Sequence, residues 1–252
     1  MNRKIKNFNN LNVWIIGASS GIGRALSIKL IERGANLYIS SRKEHLLKEI
    51  EIISPSKVKC LPLDVLEPDQ IQVAFNKIAK IDLIIFLAAD YSPLSIETLD
   101  IKTTSHIIDV NLKGAINLST IVLPRLLRER AGHLSIVASI AGYIGLPNSS
   151  VYGATKAALI NFCESIYNEA KVYNVDISVV NPGFVKTNLT AKNDFEMPFI
   201  MTPEEAANHM IAGYENGDFA IVFPKAFSYF FRFLRILPYS LHLRLLKKLV
   251  KV

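Results

Sequence analysis

The stretch Val13-Trp14-Ile15-Ile16-Gly17-Ala18-Ser19-Ser20-Gly21-Ile22-Gly23 decides how the rest of the chain is read. Four apolar residues, three of them β-branched, suit a short strand buried on both faces. Three glycines follow within seven residues, and a helical pattern over 21–33 begins among them. Gly17 permits a tight turn, Gly21 lets backbone approach a pyrophosphate, and Gly23 lets a helix pack close to the strand. The free N–H groups of that helix would then face phosphates. Glycines between a strand and a helix are also ordinary turn chemistry, so residues farther along must decide between the two.

Outward from this loop, short apolar runs alternate with amphipathic stretches. Runs at 37–40, 59–62, 83–87, 133–138, 176–180 and 219–223 read as strands, and 44–53, 68–79, 101–129, 151–173 and 203–214 read as helices. Such alternation implies an α/β, Rossmann-like, doubly wound parallel sheet of about seven strands with helices on both faces. Ligands of such sheets bind outside the carboxyl ends of the strands, at the switch in strand order. The 252 residues, half of them hydrophobic, suffice for one large core. No run approaches ~18 consecutive apolar residues. The start is basic and polar without a cleavage pattern, so no signal peptide is expected. Two cysteines, Cys60 and Cys163, lack metal-ligand spacing and suggest a reduced, cytoplasmic setting. His106, His133 and His209 are scattered, and no metal site is expected.

Two further constellations carry chemistry. The second strand ends in Ser40-Ser41-Arg42-Lys43. A site for NAD usually places a carboxylate here for the ribose 2′-OH; Ser41 offers none, and Arg42 is a cation suited to a 2′-phosphate, which favours NADP(H). Tyr152-Gly153-Ala154-Thr155-Lys156 opens a helix and puts a phenol and an ammonium on one face at i, i+4. A phenol of pKa ~10 is a poor acid at neutral pH. A fixed Lys⁺ is expected to lower it and suit it to proton transfer. Ser139, thirteen residues earlier at a strand end, can hold the same substrate oxygen.

Together the glycine loop, Ser139 and the Tyr152/Lys156 pair resemble the short-chain dehydrogenase/reductase family over about residues 11–224. The resemblance implies an oxidoreductase that moves a hydride between a nicotinamide and a carbonyl or alcohol carbon. It implies that Gly17, Ser19, Ser20, Gly21, Ile22 and Gly23 hold the cofactor with Arg42. Asp64-Val65 would contact the adenine, and Ala89 would lie in the segment beside the ribose. Pro182, Gly183, Val185 and Thr187 would hold the nicotinamide carboxamide. Ser139, Tyr152 and Lys156 would be catalytic, with Lys156 also on the ribose, and Asn111 would hold a water in a proton relay. Two departures stand out. Leu87-Ala88-Ala89-Asp90 replaces the family's Asn-Asn-Ala-Gly, and Ile16 stands where threonine is frequent. A non-catalytic cofactor sensor or scaffold is the alternative, against which the intact Tyr152 and Lys156 speak.

The loop between Thr187 and Thr202 is expected to cover the substrate. Its Phe195, Met197, Phe199, Ile200 and Met201 suggest a hydrophobic or lipid-like carbonyl, unless they pack on the protein body. Of 29 basic residues, seven lie from Lys225 onward, leaving 22 against 22 acidic ones in the body. The excess of +7 therefore belongs to the tail, and nucleic-acid binding is not expected. A boundary near Pro224 separates a catalytic domain, 1–224, from a basic amphipathic tail, 225–252. The tail should form two short helices broken at Pro238. In the first, Phe227, Phe230, Phe231, Leu234 and Leu237 make an apolar side. In the second, Leu241, Leu245, Leu246, Leu249 and Val250 do so. Peripheral attachment to the inner face of a membrane is expected, the alternative being a tail packed on the body or in an oligomer interface. The family resemblance implies a homodimer or homotetramer.

Overall fold

The structure, a computed structural model, describes residues 1–249, with side chains through Lys247. Val250 and Lys251, and the side chains of Lys248 and Leu249, which the reading of the tail uses, lie outside the described residues. Seven strands form one fully parallel sheet: β1 Asn12–Ile16, β2 Asn36–Ser40, β3 Val58–Cys60, β4 Leu83–Phe86, β5 His133–Val137, β6 Asp176–Pro182 and β7 Ala220–Phe223. The order is β3-β2-β1-β4-β5-β6-β7. Chain direction across the sheet therefore reverses between β1 and β4, and a crevice opens there at the carboxyl ends.

Each crossover is a helix: α1 Gly21–Glu32, α2 Glu44–Glu51, α3 Pro68–Asn76, α4 Ile101–Ile108, α5 Gly114–Glu129, α6 Ser150–Val172 and α7 Pro203–Asn216. Their apolar faces cover both sides of the sheet. Leu26, Leu30, Leu47, Ile50, Met210 and Tyr214 pack on one side. Phe75, Leu118, Val122, Leu159 and Cys163 pack on the other. The central strands are buried on both faces, which is why they read as continuous apolar runs. The region 101–129 is continuous but not uniform. A π turn at Asp109–Lys113 joins α4 to α5, and it places Asn111. By length and composition this helix could cross a membrane. Its Val110, Ala115, Leu118, Val122 and Leu126 are instead spent on the core.

Beyond Pro224 come α8 Lys225–Ile236 and α9 Tyr239–Leu249, separated at Pro238. They are not detached from the body. Phe231, Leu234 and Leu246 are buried in the same core as α5 and α6, and Arg232 donates to the Tyr143 hydroxyl at 3.0 Å. Of the residues assigned from sequence to the apolar sides of the tail, these three are buried, and Phe227, Leu237 and Leu245 pack partly buried against the same core.

Candidate active site

At the switch point the carboxyl ends of β1, β2, β4, β5 and β6 surround a cleft of about 380 Å³. The loop after β1 lines it with Gly17 and with Ser19 to Gly23. Gly17 adopts φ +97°, and a Cβ there would stand 2.7 Å from the Ala88 nitrogen. A Cβ on Gly23 would stand 2.2 Å from the Gly17 carbonyl oxygen. A side chain at either position would force β1, β4 and α1 apart. Ser20 is the N-cap of α1 yet makes no side-chain cap bond. The first-turn N–H groups are thus left to a ligand, with the positive end of the helix dipole behind them.

Around this cradle the cleft gathers Ser41, Arg42 and Lys43 after β2, Asp64 and Val65 after β3, and Ala88 to Asp90 after β4. Pro182 at the end of β6 and Gly183, Val185 and Thr187 beyond it join the lining. Every cofactor-contact residue expected from sequence lines this one space, as do Ser139, Tyr152 and Lys156. Asn117, which carried no sequence signal, fixes the β3 loop by donating to the Val65 carbonyl at 3.1 Å.

Asn111 is the exception among the nominated residues. It is fully buried behind the cleft rather than lining it. Its Oδ1 accepts from the Asp90 N–H at 2.7 Å, and its Nδ2 donates to the Asp90 carbonyl at 2.9 Å and the Thr155 hydroxyl at 3.2 Å. The π turn aims this amide so that it holds both the cleft rim and the residue preceding Lys156. π turns recur at functional sites, and sequence periodicity does not reveal one.

The catalytic floor differs electrostatically from the expectation. Lys156 is 2% exposed. Its Nζ donates to the Val137 carbonyl at 2.9 Å and stands 5.5 Å from the centre of the Tyr152 ring. Burial pulls the Lys156 pKa down to about 7. Tyr152 keeps part of its edge open to the cleft, but burial pushes its phenol up to about 12, outweighing the lowering influence of the Ser139 hydroxyl. The lysine therefore does not depress the phenol as expected. Desolvation penalises both charged forms, and the ammonium bonds a backbone carbonyl rather than the phenol oxygen.

In the departing segment Leu87-Ala88-Ala89-Asp90, the Leu87 N–H donates to the Ile16 carbonyl at 2.7 Å. Asp90 lies at the rim, 3.4 Å from Lys192 Nζ and 3.5 Å from His106 Nε2. The next residue, Tyr91, was not found by sequence reasoning. Its ring meets Tyr152 edge-on at 5.0 Å, and its hydroxyl donates to Asn193 at 2.7 Å. The substrate loop contributes Thr187 to Thr190 and Lys192 to the cleft wall. Phe195, Phe199 and Ile200 point outward and are exposed by 44%, 66% and 43%. The alternative, that the loop's apolar residues pack on the protein body, describes Met201, which packs against the core, but not these three.

Residues 11–197 match the family of short chain dehydrogenases, and the chain belongs to that family. An uncharacterized oxidoreductase of Myxococcus xanthus (strain DK1622) is 32% identical over 231 residues, covering 89% of this chain and 91% of the relative. Among solved structures, a short chain dehydrogenase from Burkholderia cenocepacia J2315 in complex with NADP superposes with a TM-score of 0.84 at 24% identity, over 95% of this chain and 98% of that one. A short-chain dehydrogenase/reductase from Burkholderia phymatum in complex with NAD gives 0.80 at 19% identity, over 90% and 93%. These two likenesses support the fold. The match to the family makes the protein an oxidoreductase.

Proposed function

We propose that the chain is an NADP(H)-dependent dehydrogenase or reductase acting on a carbonyl or secondary alcohol of a hydrophobic substrate. The observation that carries this reading is the convergence of Ser139, Tyr152 and Lys156 on the wall of the cleft that also holds the glycine loop and Arg42. The cleft suits the cofactor. Gly17 and Gly23 let the loop, β4 and α1 pack too closely for a Cβ, the α1 N-terminus is uncapped, and Arg42 is an exposed cation after β2. Gly17 and Ser19 to Gly23 would hold the diphosphate, Arg42 the 2′-phosphate, Asp64 and Val65 the adenine, and Ala89 would stand beside the ribose. Pro182, Gly183, Val185 and Thr187 would hold the nicotinamide. The bound nicotinamide supplies or receives the hydride.

The chain's own residues handle the oxygen and its proton. The Ser139 hydroxyl donates to the substrate oxygen and orients it. Tyr152, a phenol held protonated by burial, donates its proton to that oxygen in reduction and accepts it in oxidation. Lys156, with a pKa near neutrality, is able to resupply that proton. Asn111 keeps the helix carrying both residues in register through Thr155. The Tyr91 ring shields one side of Tyr152 from water, and this apolar wall favours a hydrophobic substrate.

The test is NADPH consumption against a panel of hydrophobic aldehydes and ketones, by wild type and by Tyr152→Phe. The phenylalanine variant should fold and bind NADPH but lose about a thousandfold in turnover. Comparable activity in both proteins would mean that another group moves the proton. Tight NADPH binding with no turnover of any carbonyl would favour a sensor or scaffold.

A further inference from the structure

The two C-terminal helices carry two apolar faces, and the body uses only one. α8 turns Ser228, Phe231 and Leu234 inward, and α9 turns His242 and Leu246 inward. On the other side of α8, Tyr229, Phe233 and Ile236 recur at i, i+4 and i+7 and are 64%, 60% and 83% exposed. Tyr239 follows at the junction, 83% exposed.

The charge on this surface has one sign. Lys225, Arg232, Arg235, Arg244 and Lys247 are exposed, and among the described residues none pairs with a carboxylate. No Asp or Glu follows Asp218 in the sequence. An apolar stripe of this extent, flanked by uncompensated cations, marks a contact surface.

We propose that this outward face docks the protein on an anionic phospholipid bilayer. Helices of 12 and 11 residues are too short to span ~30 Å of hydrocarbon. Lying in the interface, they would dip Tyr229, Phe233 and Ile236 among the acyl chains, while the cations meet anionic headgroups. The inward face remains committed to the protein core. Docking therefore needs no unfolding of the tail, and Arg232 and Arg235 keep their bonds to Tyr143. A second copy is the poorer occupant, because a two-fold contact would bring this cationic surface against itself.

The test uses the full chain, sedimented with phosphatidylcholine vesicles with and without phosphatidylglycerol, and with its solution mass measured in parallel. Wild type should pellet with the anionic vesicles only, less so at high salt. Phe233→Glu/Ile236→Glu should bind at least roughly tenfold more weakly with an unchanged melting temperature. Arg244→Glu/Lys247→Glu, which alters no apolar contact, should also lose binding. Wild type that ignores phosphatidylglycerol, or a Phe233→Glu/Ile236→Glu variant that pellets equally well, overturns the proposal. So does a variant that only converts an oligomer to a monomer, which would assign the face to self-association.

Discussion

Lys156 and Arg42 are cations in the walls of one cleft, and the fold treats them in opposite ways. Lys156 is sealed into the floor, bonded to a β5 carbonyl, and its pKa is pulled down to about 7 by burial. Arg42 stands exposed at the rim. The acidic groups repeat the contrast. Tyr152 on the floor is held protonated by burial, whereas Asp90 on the rim sits between Lys192 and His106. On the floor, charge is set by desolvation and can change during a reaction. On the rim it is screened by water and suited to recognition. Substitutions should therefore have large effects on the floor and small, salt-dependent ones on the rim.

The largest effect should come from Lys156→Met. Turnover should fall by about a hundredfold or more, through loss of the group that resupplies Tyr152. Stability should move the other way. A lysine at about 7 in the folded state and 10.5 unfolded binds fewer protons folded than unfolded across that interval. The unfolding free energy should thus rise with pH from about 7 to 10.5 and be flat below it. Methionine removes this slope, so the cofactor-free variant should be more stable than wild type at pH 7, by at most a few kcal/mol. Denaturant unfolding across this pH range checks it. Identical slopes in the two proteins would show that Lys156 is not depressed and that floor and rim do not differ.

Arg42→Ala sharpens the comparison from the rim. NADPH affinity should drop about thirtyfold, as expected for loss of a charge-assisted contact, while NADH affinity changes little. Titration of both nucleotides against both proteins reads this directly. Equal wild-type affinities for NADPH and NADH would remove Arg42 from the site.

The same division explains how much could be read in the sequence. The alternation of apolar runs and amphipathic stretches was sufficient for the seven strands, because the central ones are buried on both faces and read as largely apolar runs. The glycine loop, Arg42, Ser139 and the Tyr152/Lys156 pair were legible because each depends on local backbone geometry. The protonation of that pair was not, since desolvation arises from residues distant in sequence. Nor was the clamp of Asn111 on Asp90, because a π turn leaves no periodic trace. In the tail, the two helices and their break were legible, but their orientation was not. α8 is apolar around most of its circumference, and only contact with the body selects Phe231 and Leu234 over Tyr229 and Phe233 as the inward set.

The smallest effect should come from Asp90→Asn, and its sign is the informative part. The amide retains an oxygen to accept from the Tyr91 N–H, as Asp90 Oδ1 does at 2.7 Å. The clamp by Asn111 holds only the backbone of residue 90, so the rim should keep its shape. What changes is charge: a carboxylate on the cleft rim is removed, and Lys192 loses its ionic partner while still donating to the Tyr91 carbonyl. Both changes make the rim more positive. Asp90 and Lys192 are 33% and 43% exposed, so water already weakens their field. NADPH should bind about two- to fourfold more tightly at low salt, with the gain disappearing at high ionic strength. Lys192→Ala should shift affinity in the opposite direction. Titrations at two salt concentrations separate the outcomes. A salt-independent loss in Asp90→Asn would mean that the carboxylate accepts a hydrogen bond from the nucleotide itself. The rim would then hold a direct ligand where the usual glycine of the family offers none.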